Sequence, residues 1–387
     1  MARLISFQKI LKEKNLGGFI VTNPVNIFYL SGFRGISPQE RESILIFSPP
    51  RLASSEAGPR ATLITAKLYQ AEALKLQSKD LRITIADERN KMLNLVTKLL
   101  SGIHLRGENF PHLGGGRIGF EEKDLTYAEH EELKKKLVDR KLIATKNLVE
   151  DMRILKTADE IRNIEKAQII SQKAFTTILH SIKVGQTEEE ISEKLYKIIK
   201  SLGGQDLAFE SIIASGRNSA KPHHVTGKSK VKKGDVLLFD FGAKYKNYCA
   251  DLSRTIFAGK VSDEKRNIYS LVKRAQKEAI QKIIHGIKSH KPHEHAVDIF
   301  RKENLDDYFL HGLGHGIGLA VHEAPHLRPQ SKSKKSTSET LREGMVFSVE
   351  PGLYFPSWGG VRIEDLVVIK NGKAQVLGKS ESEITEI

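Results

Sequence analysis

Hydrophobic positions recur along this chain with two different periods, and the way they alternate divides it into two halves. In the first ~150 residues, short apolar runs have the length and β-branched content of strands: GGFIVT at 17–22, ESILIFS at 42–48 and ATLIT at 61–65. Residues 67–77 and 91–101 read as helices. The glycine- and proline-bearing stretches 48–60 and 102–117 are expected to be surface loops. A highly charged helix over about 127–141 (YAEHEELKKKLVDRK) leads out of this half, and a domain connection is expected near residue 148.

The second half repeats itself. Thr157 and Glu160 form a capping-box pattern opening a long amphipathic helix to about residue 183. Thr187 and Glu190 repeat it, and Gly203–Gly204 end the second helix. Strand-like segments follow, including VLLFDFGAKYKNYCADLSRTIF at 236–257. The order then recurs, with helices at about 263–287 and 292–303 before MVFSVEPGLYF and GVRIEDLVVI. Two copies of helix–helix–strands predict a pseudo-twofold α+β domain at 149–387, following an α/β domain at 1–148. A ligand site is expected between the copies.

Composition narrows the class. The chain has 387 residues, enough for two cores of ordinary size, with 39% hydrophobic and 28% charged residues, a globular balance. Its first residues interleave lysines and a glutamate with apolar side chains, so no signal peptide is expected. No run approaches the ~18 apolar residues of a membrane span, and a cytoplasmic protein is expected. Cys249 is the single cysteine, which excludes an internal disulfide and a thiolate-rich metal site. The net charge of +15 raises nucleic acid as a partner. Its lysines are dispersed, however, apart from short clusters at 228–233 and 332–335, and no nucleic-acid motif accompanies them. No specific nucleic-acid binding and no membrane association are expected.

The candidate chemistry lies in acidic residues placed where strands should be apolar. Asp240 sits in VLLFDFG, and Asp251 in the next strand-like run, with a turn around Lys244–Asn247 between them. A hairpin centred there puts Asp240 opposite residue 250 or 251. Carboxylates opposed at ~4.5–5.5 Å repel, and burial would force a proton onto one of them. A divalent cation between them removes that conflict. Glu350 and Glu364 repeat the arrangement, each in a β-branched apolar strand, joined through the loop from Gly352 to Gly360. Strand parity places Arg362 on the face of Glu364, where it could pair with a carboxylate or hold a substrate oxygen. His311, His315 and His322 fall within twelve residues, and the glycines around His315 allow its backbone close approach to a neighbour. Residues 322–326 (HEAPH) formally match the helical H-E-x-x-H zinc motif. Pro325 argues against the helix that motif requires.

These residues bring a family into view. FDFG at 239–242, YCADLSRT at 248–255, HGLGHGIGLAVHEAP at 311–325, MVFSVEPGLY at 345–354 and GVRIEDLVVI at 361–370 resemble the pita-bread metallopeptidases. That family includes Xaa-Pro aminopeptidase, prolidase and methionine aminopeptidase. GGFIVTNPVNIFYLSGF at 17–33 resembles the creatinase-like accessory domain of its proline-directed members. The resemblance implies two divalent metal ions, Mn2+ in the first instance, with Co2+, Fe2+ or Zn2+ as alternatives. It implies that Asp240 binds one metal, that His315 and Glu350 bind the other, and that Asp251 and Glu364 bridge them. It further implies that His223 (or its neighbour His224) and His322 contact substrate and transition state, with His311 and Arg362 as supporting substrate-site residues. A homodimer acting on peptides is expected on the same ground.

The activity so implied is removal of the N-terminal residue from peptides with proline in second position. The alternative is an Xaa-Pro dipeptidase, a prolidase. Two metals ~3.5–4 Å apart lower the pKa of a shared water. Glu350 would then relay a proton while His322 and His223 support the oxyanion and leaving group. Cys249 shares strand parity with Asp251 and is read as packing. The segment PQSKSKKSTSETLREG, between HEAP and MVFSVEP, departs from the family pattern and could edge the site. Two readings of other classes are a metal-free pita-bread binding module and a metal-free creatinase-like amidinohydrolase. Both should lack the full carboxylate set.

Overall fold

A computed structural model describes residues 2–35, 40–48, 59–88, 91–101, 116–330, 338–379 and 383–387. The expected loops at 48–60 and 102–117 lie mostly outside those residues, as do the basic cluster at 332–335 and the middle of the 329–343 segment. Contacts divide the chain into Met1–Met152 and Arg153–Ile387.

The first unit contains α1 (Ala2–Glu13), β1 (Gly18–Val21), α2 (Pro24–Ser31), β2 (Ser43–Phe47), β3 (Ala61–Ala66), α3 (Gln70–Leu74), β4 (Leu81–Ala86), α4 (Met92–Ser101), β5 (Arg117–Glu121), α5 (Tyr127–Lys136) and β6 (Lys141–Thr145). Among the described residues its strands form one mixed sheet in the order β4-β3-β2-β1-β5-β6. The apolar strands are unbroken runs because both faces are covered. Phe19 and Phe47 meet Phe7 of α1 edge-on, with ring centres at 5.2 and 4.9 Å, while Ile20 and Ile46 join Val96 and Leu100 of α4. The charged helix expected to reach residue 141 stops at Lys136. The next residues turn and become β6, because KLIAT is recruited as a parallel partner of β5.

After α6 (Leu148–Ile154), the second unit runs through α7 (Ala158–Leu179), α8 (Glu188–Ser201), β7 (Asp206–Leu207), β8 (Ile212–Ser215), β9 (Val236–Phe241), β10 (Ala243–Tyr245), β11 (Tyr248–Cys249) and β12 (Leu252–Phe257). It continues with α9 (Asp263–Lys282), α10 (His290–Arg301), β13 (Gly314–Gly316), β14 (Glu323–Leu327), β15 (Val346–Val349), β16 (Gly352–Phe355), β17 (Gly359–Arg362), β18 (Asp365–Lys370) and β19 (Lys373–Val376). Both capping boxes form: Thr157 Oγ1 and Thr187 Oγ1 accept from the amides of Glu160 and Glu190. In the first copy β9 lies between β8 and β12, and in the second β15 lies between β13 and β18. Each half-sheet turns one face to its own helix pair. Leu237, Phe239 and Phe241 of β9 meet Ile170, Ile178, Ile191 and Leu195, whereas Phe347 and Val349 of β15 meet Ala279 and Ala296. With a side-chain period of two, Asp240 and Ser348 point to the opposite face. The pseudo-twofold α+β pita-bread architecture is therefore present. Among the described residues, no helix is long and apolar enough to cross a membrane.

Candidate active site

Four carboxylates and a histidine meet on the faces turned away from the helices. The turn after β10 uses Lys246 and Asn247, both with positive φ (46° and 68°), so the hairpin centre lies about one residue beyond the expected one and the pairing register shifts by two. Asp240 is consequently paired with Ser253, not with residue 250 or 251. The correction leaves the side chains in place, because a two-residue slip preserves the face whereas a one-residue slip reverses it. Asp251 lies just before β12 and remains on the face of Asp240, diagonally across.

Glu350 and Glu364 do not sit inside strands as expected. Each occupies a junction, Glu350 between β15 and β16 and Glu364 between β17 and β18. Val349 pairs with Asp365 on one side of the junction and Gly352 with Arg362 on the other, so the two glutamates are held opposite each other. His315 is central in β13, which is squeezed between β14 and β15. A Cβ on Gly314 would lie 2.0 Å from the Ser348 carbonyl oxygen, and one on Gly316 2.1 Å from that of Ala324. Those contacts explain the flanking glycines. HEAPH is no helix: Glu323–Leu327 is β14.

The donor set fits a cation. His315 Nδ1 lies 3.1 Å from the Gly316 carbonyl, which can only accept, so Nδ1 carries the proton and the Nε2 lone pair is free. Nε2 stands 3.3 Å from Glu350 Oε1 and 3.6 Å from Asp251 Oδ2. One donor atom each from Asp251, His315 and Glu364 fall within 4.8 Å of one another. Asp251 Oδ1 and Glu364 Oε1 are buried without any hydrogen-bond partner. Burial and then the charges of Glu364, Asp240 and Glu350 push Asp251 well above the usual carboxylate range. Burial, Glu350 and Asp240 do the same to Glu364. Burial, against the pull of Arg362, takes Glu350 to about 7. Such crowding of carboxylates, with buried oxygens of Asp251 and Glu364 left without a donor, is the electrostatic signature of a cation site.

A second layer fixes this set. Arg362 Nη2 donates to Asp240 Oδ2 (2.6 Å), its Nε to Ser253 Oγ (2.8 Å) and its Nη1 to Tyr354 Oη (2.8 Å). Ser253 Oγ donates to Glu364 Oε2 (2.8 Å), and His311 Nε2 meets Tyr354 Oη at 2.7 Å. Burial and then Arg362 press the His311 pKa down to about 3, so its ring is neutral. Ser348 Oγ accepts from the His315 amide and donates to Glu350 Oε1, both at 3.0 Å. Tyr354, Ser253 and Ser348 escaped the sequence reading. Parity could have found Tyr354, which lies across the β16–β17 hairpin from Gly360 and on the face of Arg362.

The remaining candidates also have definite places. The His322 ring centre lies 4.2 Å from that of His315. His224 turns into the protein, with Nε2 2.8 Å from Glu188 Oε2. Its neighbour His223 is exposed and lies near enough to Glu350, His311 and His322 to interact with them electrostatically. Of the adjacent pair, His224 is committed to a buried partner and His223 is left exposed beside these residues. Cys249 is buried against the Leu319 carbonyl, 3.7 Å from its Sγ, and burial pushes its thiol up to about 11.

Residues 162–371 match the metallopeptidase family M24, and residues 3–155 match the Creatinase/Prolidase N-terminal domain. The chain is 33% identical to an Xaa-Pro dipeptidase of Pyrococcus furiosus over 99% of both chains. A solved Xaa-Pro dipeptidase from Bacillus anthracis aligns with a TM-score of 0.87 at 32% identity, covering 100% of this chain and 99% of that one. An X-Pro aminopeptidase from Thermotoga maritima aligns with a TM-score of 0.80 at 30% identity, covering 97% and 99%. Geometry, domain content and full-length similarity agree, and this chain belongs to the metallopeptidase family M24, with a creatinase/prolidase-type N-terminal domain.

Proposed function

We propose that this chain is an Xaa-Pro dipeptidase, a prolidase that uses two divalent metal ions. The observation that carries the choice is similarity along the whole chain to proteins called Xaa-Pro dipeptidase, in sequence and in structure. The aminopeptidase reading, expected first from the sequence, is the second, favoured by the Thermotoga structure. In the proposed enzyme Asp240, Asp251, His315, Glu350 and Glu364 hold the metals, Mn2+ or alternatively Co2+, Fe2+ or Zn2+. When bound, the metals supply Lewis acidity and a water of lowered pKa.

This chain's own residues do the rest. Glu350, oriented by Ser348, accepts the proton released by the attacking water and returns it to the leaving proline nitrogen. His322 and His223 donate to the developing oxyanion and to the peptide. Arg362 fixes Asp240, and Tyr354 ties that arginine to His311, so the peptide meets a set of donors already in place. Residues 1–148 form the accessory domain and 149–387 the catalytic one. A cytoplasmic homodimer acting on peptides, without membrane or specific nucleic-acid partners, completes the proposal.

The test is release of free alanine from Ala-Pro, Ala-Pro-Ala and Ala-Ala-Ala by Mn2+-loaded protein, with Asp251→Ala as control. Cleavage of Ala-Pro alone, lost in the control, is expected. Cleavage of Ala-Pro-Ala would replace the dipeptidase with an aminopeptidase, and no cleavage with metal bound would overturn both.

A further inference from the structure

Glu188 is the first residue of α8, yet it plays no part in capping that helix, which Thr187 and Glu190 accomplish. Its side chain is completely buried and leans away from the helix. Oε1 accepts from the Ser215 amide (2.8 Å), Ser215 Oγ (2.8 Å) and Asn218 Nδ2 (2.9 Å). Oε2 accepts from His224 Nε2 (2.8 Å) and the Gly227 amide (3.2 Å). Those donors begin at the end of β8 and finish at residue 227, so one carboxylate fastens both ends of the segment that carries His223. With His224 held inward, the preceding residue, His223, is left exposed on the turn that residues 221–224 form.

We propose that Glu188 is a positioning residue of the peptidase reaction, setting the place of His223 by clamping residues 215–227. This rests on the reading above that His223 contacts the peptide. A single buried anion serves better than neutral acceptors here, because charge-assisted bonds are shorter and stronger and one group satisfies five donors at once. The price of burying it is met by those donors. Arg362 adds a weaker tether from the other side, its Nη1 lying 3.4 Å from the Pro222 carbonyl. A displaced His223 would lower reaction rate without touching the metal donors, since none of the five carboxylate or imidazole donors bonds to this segment among the described residues.

The experiment is a double-mutant cycle on Ala-Pro hydrolysis by Mn2+-loaded protein, using Glu188→Ala, Glu188→Gln, His223→Ala and the Glu188→Ala/His223→Ala double variant. Glu188→Ala is expected to lower kcat/KM by roughly tenfold to a hundredfold, with bound manganese unchanged. Glu188→Gln, which keeps the shape and one acceptor, recovers part of the loss. The double variant is no worse than His223→Ala alone, a result that general destabilisation would not produce. Multiplying losses, or an unchanged kcat/KM in Glu188→Ala, would overturn the proposal. Should the alanine variant fail to fold, Glu188→Gln and Glu188→Gln/His223→Ala complete the same cycle. If the wild-type protein cleaves no Xaa-Pro peptide, the proposed function fails, and amide hydrogen exchange then decides the clamp separately. Faster exchange confined to 215–227 in Glu188→Gln supports it, and unchanged exchange there rejects it.

Discussion

The side chains of Glu188, Glu323, Asp251 and Glu364 are all buried, yet the first two are shifted toward ionisation and the last two away from it. Burial works against ionisation of Glu323, but Lys156 and Arg153 outweigh it and hold the carboxyl below its usual range. Burial likewise opposes ionisation of Glu188, and bonds from Asn218, His224 and Ser215 prevail. Around Asp251 and Glu364 burial raises both groups and neighbouring carboxylates add to it, which at Glu364 outweighs Arg362 and Ser253. Enclosure is common to all four residues, and the difference lies in what faces them. Clamped carboxylates build the frame, whereas crowded ones are left for a cation.

The strongest test of that contrast is Asp251→Asn. Hydrolysis should fall by roughly three orders of magnitude or more, with loss of bound metal in elemental analysis. In chelator the same variant should melt higher than wild type, by about 2–4 °C, because one of the like charges is gone. A lower melting temperature in chelator would break the comparison.

Glu323→Ala is the opposite case. It removes the carboxylate facing Lys156 and Arg153, whose side chains are 1% and 6% exposed, and buried cations that lose a direct counter-charge are costly. A loss of about 3–5 kcal/mol in urea unfolding is expected. A loss below about 1 kcal/mol would mean that these groups are not a frame.

Glu121 in the first unit sharpens the comparison with an intermediate case. Its oxygens accept from the amides of Thr22 and Asn23 and from Asn26 Nδ2, at 2.7, 2.7 and 2.6 Å. Burial nevertheless lifts it to about 7, with Glu150 adding to the rise. A folded pKa above the ordinary 4.5 means that the stability Glu121 contributes is complete below pH 4.5 and disappears as pH rises through 7. Wild type should therefore lose on the order of 1–3 kcal/mol between pH 5 and 8, and Glu121→Gln should flatten that slope. An unchanged slope in the variant would assign the pH dependence to other groups.

How far these features were legible varies with their range along the chain. The caps at Thr157 and Thr187 were readable because capping involves neighbours three residues apart. Asp240 stood out because it interrupts an apolar strand. β6 was hidden at the end of a charged helix, since KLIAT becomes a strand only beside β5. The junction positions of Glu350 and Glu364 were hidden too. Periodicity marks where a strand runs, while breaks in a ladder depend on which other strands stop there. His223 could not be separated from His224, because the bond that decides between them comes from Glu188, 36 residues away.

By itself, the sequence determined the donor types, the two helix–helix–strands copies and the face on which each acidic residue lies. Those properties follow from composition and from periods of two and 3.6, which are local. Tertiary structure alone decided that Asp240 pairs with Ser253, that Tyr354 links His311 to Arg362, and that Glu188 receives donors while Asp251 receives acceptors. A carboxylate's protonation and use depend on groups within a few ångströms, and those groups arrive from distant parts of the chain only when it folds.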